Sequence, residues 1–232
     1  MQAAKELEPV AADTCRLYVV RHGTTRLNTE ARYRGRLNVP LDHQGWEDAH
    51  SAGRALREVG LSAIYTSPLD RARDTGRIIA SYSGLSAVED HPGLVNVDYG
   101  KWSGLTAHGA AALDPRAFFL YRNRPERAVC PGGEALADAM ERMIQALSSI
   151  GARHPGQVVC GVSHAVMIRL ALTRLLGLKG SEWRIPVGLG SMTVFEVTAG
   201  TVSVVESEGF PGQIVRPTDA QGLPDQATGE IS

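Results

Sequence analysis

The chain of 232 residues predicts an α/β fold: a three-layer α/β/α sandwich whose mostly parallel central sheet is covered by helices on both faces. Three observations predict it. Short apolar runs alternate with segments of helical period. Two of those runs end in polar loops that carry histidine, as buried strands of such a sheet do. With 43% hydrophobic residues, the chain can also fill one large core.

In order, Leu17-Tyr18-Val19-Val20 reads as a buried strand that stops at Arg21-His22-Gly23. Asp42 is placed to cap a helix whose inward face is Trp46, Ala49, Gly53 and Leu56. Ala63-Ile64-Tyr65-Thr66 is strand-like. Ser67-Pro68-Leu69-Asp70 then reads as a helix start, with Ser67 as cap, Pro68 in the first helical position and an acid following. Leu69, Ala72, Gly76 and Ile79 form that helix's apolar face. A further helix spans 134–150 on Leu136, Met140, Met143, Leu147 and Ile150. Residues 157–162 form a strand entering Ser163-His164, and the helix after it stops at Gly177. Residues 192–197 and 201–205 close the fold as a hairpin around Ala199-Gly200. Segment 103–133, partly helical and irregular, is expected to cover the site. The domain is placed at 15–210, with a flexible N-terminus at 1–14 and a flexible, polar tail at 211–232.

Composition narrows the function. Lys and Arg total 24 against 25 Asp and Glu, with no basic run, so a nucleic-acid partner is not expected. No apolar stretch reaches transmembrane length and the N-terminus has no secretory pattern, so no membrane partner and a cytoplasmic location are expected. Cys15, Cys130 and Cys160 are far apart and show no paired spacing, which reads as reduced thiols filling the core. The sequence leaves a homodimer open.

Arg21, His22, Arg71 and His164 each lie just past an expected strand or in the first turn of the following helix. In an open α/β sheet these strand ends form the ligand crevice. Arginine offers planar, bidentate hydrogen bonds to phosphate, and a neutral histidine can attack phosphorus. A second, charged histidine would stabilise the transition state. Such cations need no metal, and no carboxylate cluster suited to magnesium stands out. No cofactor is expected.

The order of motifs resembles the histidine phosphatase (phosphoglycerate mutase-like) superfamily. Arg21-His22-Gly23 with Thr25 and Asn28 matches its first signature. Arg34-Gly35 through Pro40-Leu41 and Gly45 is similar to the segment before its first long helix. Ser67, Leu69, Arg71, Ala72 and Thr75 resemble its second arginine motif. Asp98-Tyr99-Gly100, Trp102 and Gly104-Leu105-Thr106 match the next block, and Pro131-Gly132-Gly133-Glu134 and Val162-Ser163-His164 complete the series. The resemblance implies a phosphoglycerate mutase-like fold and a small phosphorylated substrate. It makes His22 the nucleophile, with Arg21, Arg71 and His164 as the phosphate pocket and Thr25 and Asn28 holding or orienting phosphate. It also implies phosphoryl transfer to His22 followed by attack of water.

Two positions depart from the family pattern. The proton-donating Glu commonly found four residues before the glycine of the Asp98-Tyr99-Gly100 block is Asn96 here, and an amide cannot protonate a leaving alkoxide. That aid is worth roughly 10²–10⁴-fold in rate. Asp98 is the candidate substitute acid, with His108 and Glu134 as further ones. Otherwise the substrate has a good leaving group, or the pocket binds phosphate with little hydrolysis. Ala165 replaces a frequent glycine after the second histidine, and its methyl narrows the approach to the helix start. The leading reading is a metal-independent phosphatase acting on a small organic phosphate or diphosphate. A phosphoglycerate mutase-type transferase and a phospholigand-binding protein are the alternatives.

Overall fold

The computed structural model describes residues 9–205. The tail expected at 211–232 and most of the expected N-terminal segment lie outside them. Among the described residues, six strands form one sheet in the order β3-β2-β4-β1-β5-β6. They are β1 (Thr14–Arg21), β2 (Leu61–Thr66), β3 (Glu89–Asp90), β4 (Val158–Ser163), β5 (Met192–Thr198) and β6 (Thr201–Val204). β1 to β4 pair in parallel, while β5 and β6 add an antiparallel edge beside β1. The β5–β6 turn is the expected two-residue hairpin, with φ of 49° at Ala199 and 78° at Gly200.

Side chains alternate across a strand, so β1 feeds two cores. Cys15, Leu17 and Val19 pack with α6 (Leu136–Ala152) and α7 (Ala165–Leu176) on one face. Tyr18 and Val20 pack with α2 (His43–Leu56) and α3 (Asp70–Ser83) on the other. This is the expected three-layer α/β/α sandwich. All three cysteines are buried, free thiols, and burial pushes each up to about 12, which keeps them protonated. Among the described residues, no helix is long and apolar enough to cross a membrane.

Two helix signals, Asp42 and Gly177, behave as read. Asp42 caps α2 by accepting from Gly45 N at 2.9 Å. The C-caps of α3 and α7, Gly84 and Gly177, take the left-handed conformation at φ 70° and 66°. Segment 103–133 holds α4 (Ala107–Leu113) and α5 (Pro115–Asn123). Two expectations need correction. Trp46 is 44% exposed, so the buried face of α2 consists of Gly45, Ala49, Ala52, Gly53 and Leu56. Its small residues let α2 approach the neighbouring chain too closely for an inward indole. Ser67 does not cap α3 either: the helix begins at Asp70 after Leu69, because the Ser67 hydroxyl is engaged by His164 at 2.8 Å.

Leu17 is fully buried in the two-sided strand, so Leu17→Ala is expected to cost about 2–5 kcal/mol of stability, whereas Trp46→Ala stays within about 0.5 kcal/mol. Denaturant midpoints of the two variants check this. A Trp46→Ala loss as large as that of Leu17→Ala would contradict the assignment of faces.

Candidate active site

Strand register assembles the site. Arg21 lies opposite Ser163 in the β1–β4 pair, and Thr66 lies opposite Val162 in the β2–β4 pair. The chain therefore leaves β1, β4 and β2 side by side. His22 N donates to Ser163 O at 3.1 Å and Ser67 N to Val162 O at 2.9 Å. Three sequence-distant loops are thus stitched together by backbone before any side chain takes part. Close backbone approach holds the first loop: a Cβ on Gly23 would sit 2.2 Å from Gly45 O, and one on Gly45 would sit 2.1 Å from Thr24 O. Only glycine at both positions lets the loop rest on the start of α2.

Arg71, in the first turn of α3, is the hub. Its Nε donates to His22 Nε2 at 3.2 Å, and its Nη2 lies 3.4 Å from His164 Nδ1. Nη1 and Nη2 also donate to Leu37 O at 2.8 Å and Gly35 O at 2.9 Å. An arginine only donates, so both facing ring nitrogens must carry lone pairs. His22 is then protonated at Nδ1, which donates to Gly23 O at 2.6 Å, and His164 at Nε2, which donates to Ser67 Oγ. Both imidazoles are neutral in this arrangement. Their ring centroids are 5.1 Å apart.

Electrostatics agree with that assignment. Burial, then Arg71, holds the pKa of each histidine well below the ordinary 6.5. Burial, then Arg34, draws Arg71 down to about 9. Burial, then Arg34 and Arg169, draws Arg21 down, while Asp48 acts in the opposite direction. An arginine keeps its proton regardless. These shifts describe buried cations short of an anion.

The remaining residues singled out from sequence fall around this hub. Arg21 donates from Nη1 to Val187 O, and its buried Nε meets no acceptor among the described residues. Thr25 and Asn28 hold one another: Asn28 Oδ1 accepts from Thr25 N at 3.0 Å and Thr25 Oγ1 at 2.8 Å. Asn96 is buried and donates from Nδ2 to Gly35 O at 3.2 Å, the same carbonyl that Arg71 uses. Asn96 is thus one carbonyl away from the hub. Ala165 opens α7 directly after His164 and is half-buried. The His164 ring makes no cap bond to α7, which leaves the first N–H groups of that helix for an anion.

The candidate acids are engaged elsewhere. Asp98 Oδ1 accepts from Gly100 N at 2.9 Å, and its Oδ2 lies 3.9 Å from Arg36. Glu134 forms a bidentate pair with Arg142 at 2.9–3.1 Å and accepts from Asp98 N. Arg142 also donates to Gly93 O and Val95 O, so this pair fastens the loop that presents Asn96. His108 is exposed on α4. Among the described residues, no three His, Cys, Asp or Glu side chains form a group able to hold a metal.

One residue was not singled out by sequence reasoning. Arg34 acts on Arg21, His22, Arg71 and His164 alike. It belongs to one of the matching blocks, but nothing in its neighbours' sequence distinguishes it from the solvated arginines at 32 and 36. Those two do pair outward: Arg32 with Glu30 at 2.9 Å and Arg36 with Glu134 at 3.4 Å.

Fold and site together define a phosphoglycerate mutase-like α/β protein. The chain belongs to the histidine phosphatase superfamily (branch 1), whose description matches residues 17–208. It is 35% identical over 194 residues to a bifunctional protein of Mycobacterium tuberculosis, covering 82% of this chain and 52% of that one. The chain therefore spans about half the length of that curated relative. It is 31% identical over 168 residues to phosphoserine phosphatase 1 of Hydrogenobacter thermophilus, covering 72% and 79% of the two chains. Among solved structures, YhfR of Bacillus stearothermophilus superposes with a TM-score of 0.75 at 30% identity, over 87% of this chain and 98% of that one.

The lowered histidine pKa values have a checkable consequence. Below pH 6.5 the unfolded chain takes up protons at His22 and His164 that the folded chain refuses, so stability falls as the solution is acidified through that range. Nuclear magnetic resonance titration should find both rings neutral at pH 6.5 in the ligand-free protein. Midpoints at or above 6.5 would contradict the neutral pair.

Proposed function

We propose that the protein is a phosphatase that hydrolyses a small organic phosphate or diphosphate through a phosphohistidine on His22, without a metal ion. The single observation that carries this is the pair of contacts made by the His22 ring, from which its tautomer follows. Its Nδ1 proton is tied to Gly23 O, which leaves Nε2 as a lone pair directed at the Arg71 guanidinium. A phosphoryl oxygen arriving between them takes the Arg71 donor and frees the lone pair for phosphorus. The Nε2–P bond forms as the P–O bond breaks, and the leaving group takes the electron pair. Arg21, Arg71 and the α7 N–H groups face the equatorial oxygens. A phosphoryl dianion also opposes the forces that keep His164 neutral, so His164 takes up a proton when the pocket fills and stabilises the same charge. Water then attacks phosphorus and the pair returns to His22. Membership of the superfamily, and a relative named for phosphatase activity, support this reading.

The leaving group receives little help. Asn96 offers an amide, while Glu134 is clamped by Arg142 and Asp98 closes its own turn. Substrates whose leaving group needs no proton are therefore favoured. That observation favours the phosphatase reading over a mutase, which must protonate an alkoxide as the phosphohistidine forms and deprotonate an alcohol as the phosphoryl group is handed on.

Two experiments test this. His22→Ala is expected to lower turnover of p-nitrophenyl phosphate by at least about 10³-fold and to abolish labelling of the protein from a ³²P-labelled phosphate donor. Retained turnover in that variant would remove the proposal. Asn96→Glu is expected to raise hydrolysis of alkyl phosphates by roughly 10²–10⁴-fold while changing that of p-nitrophenyl phosphate little. Equal effects on both would show that position 96 does not serve the leaving group.

A further inference from the structure

Arg34 stands out once the bonds of the site are assigned. Each side-chain nitrogen of Arg71 already donates to a carbonyl or faces an imidazole lone pair. Arg34 has no side-chain hydrogen bond and no ion pair among the described residues, and its Nε is sealed from solvent without an acceptor. Arginines on the same loop at 32 and 36 both found carboxylates, so the loop does not lack for them. Two neighbouring groups favour the Arg34 charge, the phenols of Tyr99 and Tyr121. These phenols are hydrogen-bonded to one another at 2.9 Å, and burial raises both, so they stay neutral and cannot act as counter-ions.

Position matters as much as charge. Arg34 directly precedes Gly35, whose carbonyl accepts from both Arg71 and Asn96. It therefore sits where the loop meets the amide that stands in place of an acid. A phosphate monoester carries at most two negative charges, while Arg21, Arg34 and Arg71 present three fixed positive ones. Asp48 offsets one of these charges at Arg21, and the proton that His164 takes up as the pocket fills replaces it. One more anion is needed to balance the pocket, and Arg34 is the one of the three arginines whose side chain makes no hydrogen bond among the described residues.

Resting on the phosphohistidine reading, we propose that Arg34 receives a second anionic group carried on the leaving side of the substrate, so that the enzyme prefers phosphates whose leaving portion is itself charged. Two sources share this chemistry: the remaining phosphate of a diphosphate, and a carboxylate on the alcohol of a phosphate ester. With a diphosphate the P–O bond breaks as Nε2–P forms, and the bridging oxygen leaves with the electron pair as part of a phosphate anion held by Arg34. No proton needs to be delivered, which accommodates Asn96. In the second step the oxygen of water bonds to phosphorus, the electron pair of P–Nε2 returns to His22, and one proton leaves to solvent.

The test compares wild type, Arg34→Gln and Arg34→Lys on three probes in the presence of a chelator. Inorganic pyrophosphate carries the second phosphate, phosphoglycolate the carboxylate, and p-nitrophenyl phosphate no second anion. The expected result is that Arg34→Gln lowers kcat/KM for pyrophosphate or phosphoglycolate by about 10–100-fold more than for p-nitrophenyl phosphate, with partial recovery in Arg34→Lys. Which of the two probes shows the selective loss identifies the source. Equal losses on all three probes, or no loss on any, would overturn the proposal. Unfolding midpoints of the variants separate a folding defect from a binding one. Failure of wild type to form phosphohistidine from p-nitrophenyl phosphate would instead strike the phosphatase reading itself, so the two failures are told apart.

Discussion

The guanidinium of Arg71 is the contact on which the site depends. It touches both imidazoles and ties them to the carbonyls of Gly35 and Leu37, so four segments of chain meet at one planar group. Because arginine cannot accept a hydrogen bond, it also dictates protonation. Each histidine must turn a lone pair towards it and place its proton on the opposite nitrogen. The tautomer that leaves a lone pair on His22 Nε2 is thus a consequence of packing. Lysine could not substitute: a point charge lacks the fork that spans two rings and two carbonyls.

That arrangement is costly in the empty protein. Burial weakens the cations of Arg21, Arg34 and Arg71 alike, and repulsion from Arg34 adds to this at Arg21 and Arg71. The scaffold tolerates this because the sheet ends are fixed by parallel register and by backbone bonds, with cores on both faces. An anion entering the pocket relieves the repulsion, which couples ligand binding to the stability of the folded state.

Polar groups that resemble catalytic candidates can serve the frame instead. Glu134 and Arg142 form a clamp whose remaining donors reach Gly93 O and Val95 O, and so position the loop that carries Asn96. Thr75 likewise donates to Arg71 O while accepting from Gly23 N, linking the first turn of α3 to the loop of His22. Thr25 and Asn28 first satisfy each other and cap a short turn. The cluster around Arg71 is thus held by polar side chains that lie outside it.

Local signals in the sequence determined the elements. Alternating apolar runs marked the strands, Asp42 marked a helix start and Gly177 a helix stop, and these depend on neighbours a few residues away. Arg21, His22, Arg71 and His164 were legible because each follows a strand, and strand ends in such a sheet converge. Burial depends on what packs from elsewhere, so Trp46 was read as inward when the close approach of α2 turns it out. Ser67 was read as a cap because its partner, His164, lies 97 residues away in the chain. Arg34 was indistinguishable from Arg32 and Arg36 for the same reason. Which arginine finds a carboxylate and which is left without one is decided by long-range contacts, and no short window of sequence contains them.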